Sequence, residues 1–159
     1  MSGTAEQKSF TAPDETRAFD CGALDLLKIG GGEIGRLTLQ PGWRWSEHVK
    51  PLAGTDLCEA PHFQYHVAGT LHVVMADGAE FDARPGDVTA LPQGHDAWVI
   101  GDEPVVVVDW FGTSVSRQDY HTGPGSRVSR GRSCWRRTSP PPRPARRRSP
   151  RRRGPAAAR

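Results

Sequence analysis

Between Ala23 and Phe111 turn-forming residues recur at roughly the 8–12-residue spacing of an all-β domain, and no apolar run there repeats at helical spacing. Gly30-Gly31-Gly32 separates ALDLLKI (Ala23–Ile29) from EIGRLTL (Glu33–Leu39), and Pro41-Gly42 closes the second run. Asp77-Gly78 between two strand-like runs is a hairpin signal, because a two-residue turn needs positive φ. Pro85-Gly86-Asp87 marks a further turn. Strand-like runs therefore fall at His62–Val67, Leu71–Met75, Val88–Leu91, Ala97–Ile100 and Pro104–Phe111. The run Val105–Val108 is β-branched throughout and predicts a strand buried on both faces. Val49–Asp56 reads as a loop, and Asp14–Phe19, opened by Pro13-Asp14, is the one helix candidate. Eight to ten short antiparallel strands make a sandwich or barrel.

Charge divides the chain in two. Residues 1–123 hold eight basic and all eighteen acidic residues, a net of −10. From Pro124 onward there are thirteen arginines, seven prolines and no acidic residue. A body of that charge repels nucleic-acid phosphates, so nucleic acid is expected to bind only non-specifically through the tail. The tail has almost nothing to bury and is expected to be disordered. The absence of asparagine and a count of three lysines suggest GC-rich codons, and the tail reads as an out-of-frame extension of such DNA. A genuine basic arm is the alternative. The expected organisation is an N-terminal arm over 1–22, a barrel over 23–115 and a tail over 116–159. Cys21, Cys58 and Cys134 are an odd number at scattered spacings and imply no disulfide framework. There is no apolar run of transmembrane length and no secretory pattern at the start, so a cytoplasmic location is expected.

One stretch goes beyond architecture. Gly86-Asp-Val-Thr-Ala-Leu-Pro92-Gln-Gly94 resembles the second conserved motif of the cupin superfamily. Pro41-Gly42, His48, then Gly69 and Asp77-Gly78, resemble the first motif and its hairpin. The pairing of PGWRWSEHVKPLAGTDLCEAPH with PQGHDAWVIGDEP is similar to small bacterial single-domain cupins of unassigned function. The resemblance implies an all-β fold, a double-stranded β-helix or jelly-roll barrel, and a homodimer.

It also implies metal-ligand slots, which this sequence fills unusually. His48 occupies the first histidine slot, Lys50 the second, His62 the glutamate slot and Ala97 the last histidine slot, with His95 two residues before it. The candidate metal set is His48, His62, His66 and His95, and the candidate ions are zinc, iron, nickel or copper. Cys58 could add a thiolate, although a free cysteine is more often a small buried residue.

The segment Cys58–Val67 alternates strictly. Cys58, Ala60, His62, Gln64 and His66 share one face; Phe63, Tyr65 and Val67 share the other. Periodicity alone puts the Phe63 face in the core. The cupin register puts the His62 face inside the barrel, and that is the reading adopted here. The ligand-binding residues are then His62, Gln64, His66 and His95, with Trp43, Trp45 and Trp98 as pocket wall or as plain core. His72 is expected at the surface and His121 outside the barrel; no residue is assigned a catalytic role. Two functions follow: a non-catalytic module that binds or senses a small polar molecule, with a divalent metal as possible cofactor, or a metal-dependent oxygenase or isomerase.

Overall fold

Strand formation follows the turn signals. The computed structural model describes residues 4–111. The expected tail, its junction with the barrel at 115, His121 and Cys134 lie outside the described residues. The elements are β1 (Glu15–Phe19), β2 (Gly22–Ile29), β3 (Gly32–Leu39), α1 (Trp45–His48), α2 (Lys50–Ala53), β4 (His62–Ala68), β5 (Thr70–Met75), β6 (Glu80–Ala83), β7 (Val88–Leu91), β8 (His95–Ile100) and β9 (Val105–Asp109). One sheet has the order β1-β2-β3-β9-β4-β7 and the other β6-β5-β8. Every pairing is antiparallel. Two such sheets closing over one core make an all-β jelly roll. No helix among the described residues is long and apolar enough to cross a membrane.

Three local expectations change. Asp14–Phe19 is not helical: Glu15–Phe19 pairs along its whole length with β2, so part of the stretch read as an arm is an edge strand. Its alternating side chains suit a pleated surface, and tertiary pairing overrides the weak turn signal at Pro13-Asp14. The stretch read as a loop from Val49 carries α2, with Pro51 in its first turn and Gly54 ending it. Pro is tolerated there because a first-turn N–H has no helical partner. Third, β9 is buried on one face only: Val105, Val107 and Asp109 are buried, while Val106 and Val108 are half-buried. The strand is nonetheless interior, hydrogen-bonded to β3 on one side and β4 on the other.

The core lies between the sheets. Leu39, Leu91, Val105 and Val107 from the large sheet meet Leu71, Val73, Ala97 and Val99 from the small one, with Trp43 and Trp45 closing the gap. Trp43 stands there because its carbonyl accepts from Val99 N–H at 3.0 Å, which lays residues 43–44 beside β8.

Strand β4 resolves the alternation in favour of the cupin register. Gln64 and His66 are 5% and 1% exposed, whereas Phe63, Tyr65 and Val67 are 40%, 42% and 47% exposed. The polar face is inside and the apolar face outside.

Gly69 joins β4 to β5 at φ +69°, and a Cβ there would stand 2.5 Å from the Pro104 carbonyl oxygen. Gly78 has φ +87° but open space around it. Gly69→Ala therefore adds a backbone collision to left-handed strain and should lower stability by roughly 2–3 kcal/mol, against about 1 kcal/mol for Gly78→Ala. Urea unfolding of both variants checks the order.

Candidate metal centre

The sequence brings three donor side chains to one end of the barrel. His62 opens β4 in the large sheet and His95 opens β8 in the small one. Cys58 is clamped against β8: its N–H donates to the His95 carbonyl at 2.8 Å, and Gly94 N–H donates to the Cys58 carbonyl at 2.7 Å. Gly94 sits at φ +89°, the positive φ that the PQG turn requires. Glu59-Ala60-Pro61 then carries the chain across to β4, so the cluster bridges the two sheets.

One ligand atom from each of Cys58, His62 and His95 lies within 4.8 Å of the others. Cys58 Sγ is 3.7 Å from His62 Nε2, and the two imidazole centroids are 5.2 Å apart. Both rings are held from behind. His62 Nδ1 bonds Asp109 Oδ2 at 2.5 Å, and His95 Nδ1 donates to the Pro92 carbonyl at 3.0 Å. That leaves each Nε2 for the cluster. Asp109 is itself anchored, accepting from Phe63 N–H, Gln64 Nε2 and Phe111 N–H.

The donor set fits a metal ion. A thiolate at about 2.3 Å and an imidazole at about 2.1 Å on one tetrahedral ion stand about 3.6 Å apart, close to the Cys58–His62 separation. A carboxylate behind one ligand histidine is the usual device for fixing its tautomer and raising its basicity. One thiolate with two imidazoles is a donor set that suits a transition-metal ion.

The four-histidine set does not converge. His62 and His95 meet; His48 and His66 do not join them. His48 belongs to α1, where its Nδ1 lies 2.9 Å from the Arg44 carbonyl, and it stands beside Asp20 and Cys21 instead, of which Cys21 is disulfide-bonded and offers no thiolate. His66 lies four residues deeper along β4, bonded through Nε2 to Thr89 Oγ1 at 3.0 Å. Burial holds its pKa below the ordinary value. Ala97 faces inward on β8 as expected of the slot it fills, but it carries no donor.

The tryptophans divide. Trp43 and Trp45 are core; Trp98 is on the outward face of β8, stacked between Arg44 (4.2 Å) and His72 (4.4 Å). β8 alternates, and Trp98 has the parity opposite to His95 and Ala97. His72 is on the outer side, bonded to Asp82 at 2.7 Å. Sequence reasoning missed Asp109 and undervalued Cys58. The signal for Asp109 was its parity with Val105 and Val107: an acidic residue in a buried row must have a partner.

Electrostatics couple Cys58 and His62. Burial opposes charge on both. On Cys58 the hydrogen bonds and charges of His62 and His95 outweigh it and bring the thiol down from 9.0 to about 6. On His62 the bonds and charges of Asp109 and Cys58 outweigh it and raise the ring from 6.5 to about 9. The raised His62 alone contributes stability that is complete below pH 6.5 and lost as pH rises through about 9. The depressed Cys58 alone contributes stability that is complete above pH 9.0 and lost as pH falls through about 6. Between those limits folding merely moves one proton from sulfur to ring, and the two slopes cancel. Metal-free protein should therefore show flat stability over this window. Cys58→Ala leaves His62 with Asp109, so its stability should fall as pH rises above 6.5, by up to about 1.4 kcal/mol per pH unit. Urea unfolding in chelator at about pH 6.5 and 8.5 measures it. A flat Cys58→Ala profile would show that Asp109 does not hold the proton on His62.

No protein-family model matches the chain, and no curated protein matches it. Solved structures do. A protein of unknown function from Rhizobium leguminosarum bv. viciae is 17% identical, with TM-score 0.51, over 69% of this chain and 97% of that one. A cupin-2 domain from Rhodospirillum rubrum is 18% identical, with TM-score 0.44, over 69% and 67%. Oxalate decarboxylase of Lactobacillus farciminis, solved as a formate complex, is 21% identical, with TM-score 0.47, over 62% of this chain and 30% of its own length. This chain thus spans less than a third of that enzyme. At such identities the likeness concerns the fold. With the two antiparallel sheets, it defines an all-β jelly roll. Within that class this chain carries a thiolate–imidazole cluster at the barrel end.

Proposed function

We propose that this chain is a metal-binding cupin-type protein whose ion, zinc or copper, is held by Cys58 Sγ, His62 Nε2 and His95 Nε2, and that it binds or senses a small polar molecule there. The observation that carries this is three donor atoms within 4.8 Å, with both histidines oriented from behind by Asp109 and by the Pro92 carbonyl. Three protein ligands leave one position of a tetrahedral ion open for that molecule. The oxygenase reading is less favoured because a thiolate beside activated oxygen is itself oxidised.

Full-chain protein titrated with Co²⁺ should bind one ion and develop a thiolate charge-transfer band. Cys58→Ala, His62→Ala and His95→Ala should each lose it, while His48→Ala keeps it. Zinc at about a hundredfold over its Kd should raise the unfolding free energy by about 2.7 kcal/mol in the wild type and not in the three ligand variants. Binding that survives loss of Cys58 and His62 would overturn this centre.

The outer face of β4, β7 and β9 suggests the assembly. Phe63, Tyr65, Val67, Val88, Trp110 and Phe111 are exposed there, and Phe63 packs on the rings of Trp110 and Phe111. Among the described residues β7 ends the large sheet, so its outer edge is open. An uncharged face on an acidic body is where two like-charged copies can approach. We propose that a second copy covers it, as an open edge beside an apolar face favours. Light scattering at tens of micromolar should give a dimer, and Tyr65→Lys a folded monomer. A monomeric wild type refutes it.

A further inference from the structure

Cys58, His62 and Asp109 stand in the order of a nucleophile, its base and the group that orients the base. Cys58 Sγ lies 3.7 Å from His62 Nε2, and His62 Nδ1 lies 2.5 Å from Asp109 Oδ2. Enzymes activate a hydroxyl or a thiol with this arrangement, a base within hydrogen-bond reach and fixed from behind. A carboxylate accepts, so His62 Nδ1 carries a proton, and Nε2 of the neutral ring is free to take the one on sulfur.

The third member of the cluster indicates which electrophile such a thiol meets. His95 donates through Nδ1 to the Pro92 carbonyl at 3.0 Å, so Nε2 of its neutral ring is left to the cluster as an acceptor. Acyl transfer needs the opposite, N–H donors where an oxyanion forms. The donor closest to hand, the Cys58 backbone N–H, is spent on the His95 carbonyl at 2.8 Å. A hydroperoxide suits the site as it stands. Its O–H donates to His95 Nε2, and its departing oxygen needs one proton, which His62 holds once it has taken it from sulfur. Size points the same way. With Cys58 7% exposed and the His62 side chain 15% exposed, a molecule little larger than water is the one that reaches the sulfur.

We propose that the metal-free protein reduces hydrogen peroxide at Cys58, with His62 as the group that takes and returns the proton. Sγ attacks one peroxide oxygen as its proton passes to His62 Nε2; an S–O bond forms and the O–O bond breaks. Sulfur loses two electrons to the peroxide, and the leaving hydroxide takes the proton from His62. The products are a sulfenic acid and water. Cys58 is the free cysteine among the described residues, so the reductant comes from outside. One small thiol displaces water to give a mixed disulfide, and a second releases Cys58 as the thiol. The reaction does not rest on the metal reading and competes with it, because one sulfur cannot serve both.

The test uses full-length protein in chelator, with hydrogen peroxide as the probe, dimedone to trap the sulfenic acid, and peptide mass spectrometry to read Cys58 alone. Native Cys58 should react at least about a hundredfold faster than Cys58 of the urea-unfolded chain, the factor a positioned acid–base group supplies. His62→Gln should lose most of that factor, and His48→Ala should keep it. Glutathione should return the sulfenic acid to the thiol. A native rate no higher than the unfolded one overturns the proposal without reference to any variant. So does an unchanged rate in a folded His62→Gln, or a sulfenic acid that glutathione leaves in place. Zinc is titrated separately. An ion held by Sγ should stop the reaction, whereas a chain that binds no zinc overturns the metal centre and leaves the result in chelator to decide this proposal.

Discussion

A strand has two faces, and β4 cannot bury both. Its odd-numbered residues Phe63, Tyr65 and Val67 are the more apolar, yet the even-numbered His62, Gln64 and His66 are inside. The choice follows from pairing. β4 is locked between β7 and β9, and a slip of one residue would reverse every side chain. In the observed register Gln64 faces Asp109 and Thr89, and His66 faces Val107. The inward polar groups find partners there: His62 and Gln64 on Asp109, His66 on Thr89. One buried carboxylate thus makes the unusual orientation of a central strand tolerable.

The same carboxylate links the barrel to its chemistry. Asp109 ends the valine strand, accepts from two backbone N–H groups, and directs His62 so that Nε2 meets Cys58. Cys58 owes its place to backbone, not side-chain, contacts: a two-bond bridge to the Gly94-His95 turn. A site built from a loop alone would drift. This one is fixed to the first residues of β4 and β8 and the last residue of β9, where ladder hydrogen bonds hold the backbone. The outward aromatic face is the other side of the same arrangement, and it accounts for so much exposed apolar surface on an otherwise acidic body.

What the sequence determined by itself was the class of fold and the turns. Gly and Pro placement depends on local φ, which a chain carries wherever it folds, so Gly86 and Gly94 have positive φ as read. The approach of His62 and His95 was legible too, because a resemblance to a known motif supplied the register that periodicity lacked. The tertiary structure decided the rest. Whether Glu15–Phe19 is strand or helix depended on having β2 beside it. Cys58 and Asp109 entered the site through contacts 4 and 47 residues away from His62, and neither spacing is a signal in one dimension. His48 matched a slot by position and was withdrawn from it by a short helix that turns its ring onto the Arg44 backbone. A sequence specifies which side chains can bind an ion; only the crossing of two sheets decides which of them meet.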